Sequence, residues 1–304
     1  MTRQVALVLV AIAVSLIQAS AAETAPRVVA SIKPVHAIAS AVMAGMGTPE
    51  LLLPGGSSPH SYALKPSDAR KLAAADAVFW IGPDLETVLL APLRTLARDA
   101  RIVALASAPN VVRLQARRGG TWESDEHAHD AGGASDGHVW LDPRNGAAMA
   151  SAIAETLAAI DPANGARYRQ NEAAFRQRMT AIDAELAGKL AGLKNRPYIV
   201  FHDAYQYFEA RYGLSPVGAV AVAADRPVGP RRVSELRDRL KNAGVVCAFA
   251  TPEFPPRLFT ALTNGTAVRT QSLDDLGADI PPGPLLYETL LTRMGDAVAQ
   301  CLRP

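Results

Sequence analysis

Short apolar runs alternate with amphipathic segments along the first third of the chain. The runs are rich in valine, isoleucine, leucine and alanine and predict short buried strands at 27–32, 51–53, 77–81 and 102–105. Between them, Pro34 opens a helix that runs to about Gly45, and the pair Ser67-Asp68 is placed to cap a helix through Ala74. Strands that alternate with helices form parallel sheets with covered faces, so this region is predicted to be α/β.

The second half of the chain repeats this alternation. Its apolar runs predict strands at 198–201, 219–222 and 245–249 and a closing helix over 284–302. Between the two series, apolar residues recur at helical spacing from Pro162 to Leu193, which predicts a helix of about thirty residues, roughly 45 Å long. One small domain has no need of such a long helix, so we expect it to connect two lobes.

These patterns together predict an α/β protein of two lobes, each with a parallel-type sheet. The N-terminal lobe is expected over 23–160, one long rigid backbone helix over 161–194, and the C-terminal lobe over 195–304. The alternation fails at 113–137, where charged residues and glycine leave too few apolar side chains to pack. We expect a mobile acidic loop there, which contains His127 and His129.

The segment 1–22 has the pattern of a cleavable signal peptide. A basic start at Arg3 precedes an apolar run over 5–17, and Ala19-Ser20-Ala21 supplies a small-residue cleavage site. The run is shorter than the ~20 apolar residues that span a bilayer, and no later segment suggests a second span. No cysteine lies near the cleavage site for lipid attachment, so export to a periplasm is expected.

The composition is that of a globular chain and argues against nucleic acid as a partner. Of the 304 residues, 49% are hydrophobic and 20% are charged, with a formal net charge of +2. The basic residues form short pairs such as Arg117-Arg118, not the dense patch that nucleic acid requires. The two cysteines, Cys247 and Cys301, would form one disulfide in an oxidising compartment or remain two buried thiols.

Three of the six histidines are candidate ligands: two stand at or near the carboxyl ends of predicted strands, where open α/β sheets collect their ligands, and the third follows the predicted loop. His60 lies in a loop of glycine, serine and proline after the second predicted strand, His202 directly follows the first strand of the second series, and His138 precedes a helix. Three imidazoles around one ion would match a zinc site, but their long and irregular spacing does not show that they converge. His36, inside the first helix, is predicted to be a packed or capping histidine instead.

Four segments resemble, in order and context, the zinc-binding receptors of ABC importers of the ZnuA type. They are LLLPGGSSPHSYALKPSDARKLAAADAVFWIG, GHVWLDP, VFHDAYQYFEARYGL and LDDLGADIPPGPLLYETLL, and the likeness covers nearly the whole mature chain. The resemblance implies two lobes joined by one long helix, with Zn²⁺ bound between them as the transported ligand. Carried over residue by residue, it makes His60, His138 and His202 the metal ligands.

The fourth donor to the ion is left open between Asp274 and water. Asp274, in LDDLG, matches an aspartate that binds metal in relatives, whereas Pro59 removes the glutamate that precedes the first histidine in some members.

An imidazole at His202 favours zinc, because related manganese receptors usually carry a carboxylate there. The segment ATPEF departs from the family's AEPQF, with Thr251 in place of its glutamate, so Glu253 is assigned no role.

The resemblance also implies a mode of action and partners. The receptor would capture Zn²⁺ with neutral imidazoles, without catalysis, and dock on an ABC permease in the inner membrane that an ATPase drives. A monomer is expected, and a periplasmic zinc chaperone is left open as a further partner. His127 and His129 would be solvated surface groups or weak captors of zinc. The cysteine pair matches a disulfide of many zinc receptors, and Asp203 is a candidate to orient the third histidine.

Three alternatives compete with a zinc receptor. A manganese receptor would share the fold, and a zinc hydrolase would share the three histidines. The hydrolase lacks a general base at helical spacing such as H-E-x-x-H, and no G-x-S-x-G nucleophile motif occurs. A surface adhesin built on the same scaffold would need an anchor, for which no lipid-attachment cysteine is present.

Overall fold

The computed structural model describes residues 25–117, 122, 135–221, 234–238, 240, 243–252 and 256–304. The predicted signal peptide and the histidines His127 and His129 lie outside the described residues. Of the predicted acidic loop, 113–117, 122 and 135–137 are described, and Gln115 pairs with Ser135 in an antiparallel bridge.

Four parallel strands form the sheet of the N-terminal lobe, in the order β2-β1-β3-β4. The strands are β1 (Val28–Ala30), β2 (Glu50–Leu51), β3 (Ala77–Trp80) and β4 (Arg101–Ala104), and the helices are α1 (Lys33–Val42), α2 (Pro66–Ala74), α3 (Leu90–Leu96) and α4 (Pro143–Ile160). The central strands β1 and β3 are buried along their length, as the apolar runs predicted. Helix α2 begins earlier than expected, with Lys65 as its N-cap, so Ser67 and Asp68 lie inside it rather than before it.

The C-terminal lobe repeats this architecture with a parallel sheet in the order β6-β5-β7-β8. Its strands are β5 (Tyr198–His202), β6 (Pro216–Ala221), β7 (Cys247–Ala250) and β8 (Arg269–Ser272), and its helices are α6 (Gln206–Tyr212), α7 (Pro256–Thr263) and α8 (Leu286–Leu302). The strand β8 was not predicted, because its sequence RTQS is polar and largely exposed at the edge of the sheet. Edge strands carry little of the apolar signal that marks central ones.

The predicted spine is the helix α5 (Gly165–Leu190), continued at its two ends by the 3₁₀ turns Pro162–Asn164 and Ala191–Leu193. This element covers the range that the apolar periodicity predicted. It packs against α1 and α4 of the N-terminal lobe and against α6 and α8 of the C-terminal lobe. Within the described part of the chain, no helix has the length and the hydropathy to cross a bilayer.

One continuous hydrophobic core runs through both lobes. It includes Trp140 next to α4, Phe175 of α5 and Tyr287 of α8, which are all fully buried. The rings of Phe175 and Tyr287 stack with their centroids 6.0 Å apart, and the hydroxyl of Tyr287 donates to the carbonyl of Trp140. The lobes are therefore packed on each other around the spine rather than joined by a flexible linker.

A disulfide joins Cys247, the first residue of β7, to Cys301 in α8. Of the two states that the sequence left open for these cysteines, the crosslink is the one confirmed. It ties the last helix of the chain to the C-terminal sheet.

Candidate metal centre

His60 lies in the loop that follows β2, at the edge of the N-terminal sheet where the carboxyl ends of the strands meet. The loop turns at Gly56, whose φ of 79° is a left-handed value that glycine adopts without steric penalty. The backbone N–H of His60 donates to Oγ of Ser58 at 3.3 Å, and the hydroxyl of Tyr62 donates to Asp68 of α2 at 2.8 Å. The half-buried imidazole therefore stands on an anchored loop and is not a freely solvated side chain.

His138 is buried just before the 3₁₀ turn that leads into α4, and Asp136 fixes its position twice. Oδ1 of Asp136 accepts from the backbone N–H of His138 at 2.9 Å and from its Nδ1 at 2.7 Å. This contact selects the tautomer protonated on Nδ1, so that Nε2 keeps its lone pair for a metal ion. The sequence pattern did not single out Asp136 as a partner of His138. An acid two residues before a candidate ligand is the signal that could have indicated this role.

His202 is the last residue of β5 and is 2% exposed. In the order β6-β5-β7-β8, the chain passes from β5 to β6 on one side and then crosses to β7 on the other side of β5. The carboxyl end of a strand at which the order reverses in this way opens onto a binding crevice. The ring centroid of His202 lies 5.2 Å from that of His138 and 5.5 Å from that of His60. The C-terminal lobe thus presents one imidazole to the two of the N-terminal lobe.

The three histidines form a group whose ligand atoms all lie within 4.8 Å of one another. The Nε2 atoms of His138 and His202 are 3.3 Å apart. Two nitrogens bound to one tetrahedral zinc ion at about 2.0–2.1 Å are separated by about 3.3 Å, so this spacing suits a shared ion. The convergence that sequence spacing could not show is present in the structure.

The electrostatics of the cluster leave its rings ready to bind a cation. Burial, followed by the positive charges of His138 and His60, holds the pKa of His202 well below its ordinary value. Burial also acts to lower the pKa of His138, but the carboxylate of Asp136, with smaller effects of Asp275 and Asp203, raises it above the ordinary value. His202 is therefore neutral at pH 7, and of these two rings His138 is the one that binds a proton more readily.

Asp274 is not part of this group in the described chain. Its carboxylate folds the loop after β8, because it accepts from the backbone N–H groups of Leu276, Gly277 and Ala278 at 2.9, 2.8 and 2.6 Å. The role of Asp274 as a metal ligand stays a prediction.

Lys33, at the start of α1, fastens the same loop to the N-terminal lobe. Its buried Nζ donates to the carbonyls of Gly277, of Ala278 at 3.0 Å and of Ile280 at 2.6 Å. Gly55 of the His60 loop packs on this junction so closely that a Cβ there would lie 2.8 Å from the carbonyl of Ala278. The loops that carry His60 and Asp274 therefore meet across the two lobes.

Arg117 binds two buried carboxylates next to His202. Its guanidinium lies 3.1 Å from Oδ1 of Asp203 and also contacts Glu209, which accepts from the hydroxyl of Tyr198 at 2.9 Å. Burial raises the pKa of Asp203 to about 7, against the opposing charge of Arg117. The expectation that Asp203 orients His202 stays a prediction.

The remaining residues singled out in the sequence lie away from the cluster. His36 is confirmed as a packed histidine, because it is buried in α1 and donates from Nε2 to the carbonyl of Pro49 at 2.9 Å. Thr251, at the position where the family pattern has glutamate, is buried with its hydroxyl 3.2 Å from that of Tyr205.

Two parallel α/β lobes around a helical spine, with three buried or half-buried imidazoles where the lobes meet, define a two-lobed binding protein with a site for a metal ion. Comparison with known proteins identifies the family of this binding protein. The chain belongs to the ZnuA family, described as the periplasmic component A of the zinc-uptake complex, whose family model matches residues 28–301.

Relatives and solved structures agree with this assignment. The chain is 39% identical to the high-affinity zinc uptake system protein ZnuA of Brucella abortus (strain 2308), over 90% of this chain and 91% of that protein. The protein of the same name from Paracoccus denitrificans (strain Pd 1222) is 37% identical, over 91% of this chain and 92% of its own length. A crystal structure of ZnuA matches with a TM-score of 0.78 at 25% identity, over 92% of this chain and 100% of that one.

The comparisons answer three of the questions that the sequence raised. The chain is a solute-binding receptor and not an enzyme, which removes the zinc hydrolase from the alternatives. The two-lobed α/β fold is confirmed, and the family places the protein outside the cytoplasm.

Proposed function

We propose that this chain captures Zn²⁺ and delivers it to an ABC permease for high-affinity zinc uptake. The observation that carries the proposal is the meeting of His60, His138 and His202 from both lobes, with two Nε2 atoms at the spacing of tetrahedral zinc ligands. Imidazole suits zinc, whereas manganese prefers carboxylate, carbonyl and water oxygens. The ligand set therefore supports a zinc receptor over a manganese receptor of the same fold.

Asp274 or a water molecule completes the tetrahedron in this proposal. Both oxygens of Asp274 already accept hydrogen bonds from backbone N–H groups, and Oδ2, which accepts one, keeps a lone pair that could bind the ion. A carboxylate would offset part of the charge of the ion, which water does not. Water would leave the loop after β8 unchanged.

The proposed cycle assigns a role to each part of the chain. The signal peptide over 1–22 directs export to the periplasm and is removed, and the folded receptor loads Zn²⁺ as a monomer. The loaded receptor docks on the permease in the inner membrane, and the ATPase of the importer drives uptake. Zinc reaches the receptor from solution or from a periplasmic chaperone. What supports this cycle is the family to which the chain belongs.

Zinc titration of the mature chain and of single variants tests the proposal. We expect His60→Ala, His138→Ala and His202→Ala to abolish tight binding, because each removes one of the three imidazoles. His36→Gln is the matched control, since that histidine is buried but bonded to a backbone carbonyl away from the cluster. The proposal is wrong if all three alanine variants bind one Zn²⁺ as tightly as the parent.

Competition between metals tests the choice of zinc over manganese. With the mature chain at equal concentrations of Zn²⁺ and Mn²⁺, we expect zinc to occupy the site, both from its place in the affinity series and from its suitability for imidazole. Preferential retention of manganese would instead favour the manganese receptor.

A further inference from the structure

Asp275 carries a buried carboxylate whose environment the fold alone does not explain. The residue is 2% exposed, and no donor among the described residues lies within hydrogen-bonding distance of its buried Oδ1. An ionised carboxylate with a buried oxygen that no donor reaches is costly to bury unless a nearby charge compensates it. The buried carboxylate of Asp275 therefore points to a nearby cation that it stabilises.

The backbone holds Asp275 beside the metal site. Its carbonyl accepts from Nε1 of Trp140 at 2.7 Å, and the indole of Trp140 lies against the imidazole of His138 with the ring centroids 5.3 Å apart. Lys33 fastens the next turn of the loop from the N-terminal lobe. These contacts keep the Asp275 carboxylate near enough for its charge to act on His138.

The acids on either side in the loop have other partners. Both oxygens of Asp274 bind backbone N–H groups, and Asp279 forms an exposed ion pair with Arg293 at 3.2 Å. Of the three acids in this loop, Asp275 is the one that is fully buried and has a free acceptor oxygen within the described structure.

We propose that Asp275 is the charge-compensating carboxylate of the metal site and acts from outside the ligand set. This inference rests on the zinc-receptor function proposed above. Three neutral imidazoles bring no negative charge, so a buried divalent cation keeps its full charge unless carboxylates nearby offset it. Asp136 offsets part of that charge through its hydrogen bond to His138, and Asp275 offsets more from the side of the C-terminal lobe. The carboxylate oxygens of Asp275 do not belong to the group of ligand atoms that lie within 4.8 Å of one another. Asp275 is therefore proposed to act on the ion through its charge and not as a ligand.

The test is Asp275→Asn in the full mature chain, with Asp279→Asn as a matched control from the same loop. Zinc affinity measured by competition with a chelator should fall on the order of 10- to 100-fold in Asp275→Asn, as for other groups that support metal ligands. The metal-free variant should melt at a higher temperature than the parent, because the neutral amide removes a buried charge that is incompletely hydrogen-bonded. The Co²⁺-loaded variant should keep the absorption spectrum of the parent. Asp279→Asn should match the parent in all three measurements.

Three results would overturn the inference. The first is a zinc affinity of Asp275→Asn equal to that of Asp279→Asn. The second is a metal-free variant that is less stable than the parent, since Asp275 would then support the fold rather than the ion. The third is an altered Co²⁺ spectrum, which would place the carboxylate in the ligand set. His202→Ala separates this inference from the receptor function: if that variant loses zinc while Asp275→Asn does not, only the inference about Asp275 fails.

Discussion

The Nε2 atoms of His138 and His202 lie 3.3 Å apart, although the two residues are 64 positions apart in the sequence and belong to different lobes. A contact at this distance is a hydrogen bond when one of the two rings carries a proton on Nε2. A metal ion between the rings takes the place of that proton and forms two coordinate bonds. The packed lobes therefore hold the two rings at the spacing that a shared ion requires.

Asp136→Asn is expected to weaken zinc binding on the order of 10- to 100-fold. The carboxylate of Asp136 holds His138 in the tautomer that leaves Nε2 unprotonated, whereas an amide can donate to Nδ1 and favour the other tautomer. Chelator competition measures the loss, and Asp84→Asn, an acid paired with Arg113, is the control. Unchanged affinity in Asp136→Asn would show that this hydrogen bond does not matter for binding.

Zinc affinity is expected to fall as the pH falls. His202 is neutral at pH 7 because burial and the neighbouring imidazoles keep its pKa well below the ordinary value. The pKa of His138 is raised, since Asp136 outweighs the opposing effect of burial. Protons therefore compete with zinc at His138 before they reach His202, and the apparent affinity should drop by about tenfold per pH unit below the pKa of His138. Titrations between about pH 8 and 5 measure this slope, and a flat profile would contradict it.

Asp183→Asn is expected to lower the free energy of unfolding by about 1–3 kcal/mol at neutral pH. Asp183 of α5 accepts from Nε of Arg211 at 2.8 Å and from the hydroxyl of Tyr212 at 3.1 Å. Burial opposes the shift, but these bonds lower the pKa of Asp183 below 3.8, so its stabilisation is present above that pH and is lost as the pH falls through the lowered value. Denaturant melts of parent and variant should converge in acid, and a gap that stays constant with pH would contradict the ion pair as its cause.

Removal of the disulfide is expected to destabilise the protein by about 4 kcal/mol without loss of the metal site. Cys247 and Cys301 close a loop with a sequence separation of 54, and neither belongs to the histidine group. The double variant Cys247→Ser with Cys301→Ser should melt at a lower temperature than the parent, and a reductant should lower the melting temperature of the parent alone. A double variant as stable as the parent would show that the crosslink adds nothing.

Gly146→Ala is expected to destabilise the fold by about 1–3 kcal/mol. A Cβ at this position of α4 would lie 2.6 Å from Cε1 of the buried Tyr287, whose hydroxyl is bonded to the carbonyl of Trp140. Gly188→Ala in α5 is the matched control, because a Cβ there meets nothing within 4 Å and alanine favours helix by up to about 1 kcal/mol. Thermal melts of both variants measure the contrast, and equal stability would mean that α8 shifts to accept the methyl group.

The elements with a strong apolar pattern could be predicted from the sequence. Strand β5 and helix α5 are long or apolar enough that their period and position are evident, and both occur where they were expected. Strand β8 could not be found in this way, because it is held by pairing with β7 while its own side chains are polar. Backbone hydrogen bonds to a neighbouring strand do not depend on side-chain type, so the amino-acid sequence of β8 does not indicate them.

The candidate site was partly accessible from the sequence. The ends of predicted strands pointed to His60 and His202, but their convergence depends on how the two lobes pack, which no local pattern encodes. The setting of Asp275 is less accessible still, because it depends on Trp140, 135 positions away, and on Lys33, which binds Gly277 from 244 positions away. Burial produced by such distant contacts can be seen only in the folded chain.

The packing of α8 has a consequence for biogenesis. This helix lies against α1 and α5, and its residues complete the core that begins at β1. Helix α8 is therefore needed to cover β1 and α1, which are synthesised well before it. The core that the two lobes share is not closed without α8, so a chain that lacks this helix exposes an apolar face prone to aggregation and degradation. The complete protein is expected to melt in a single cooperative transition.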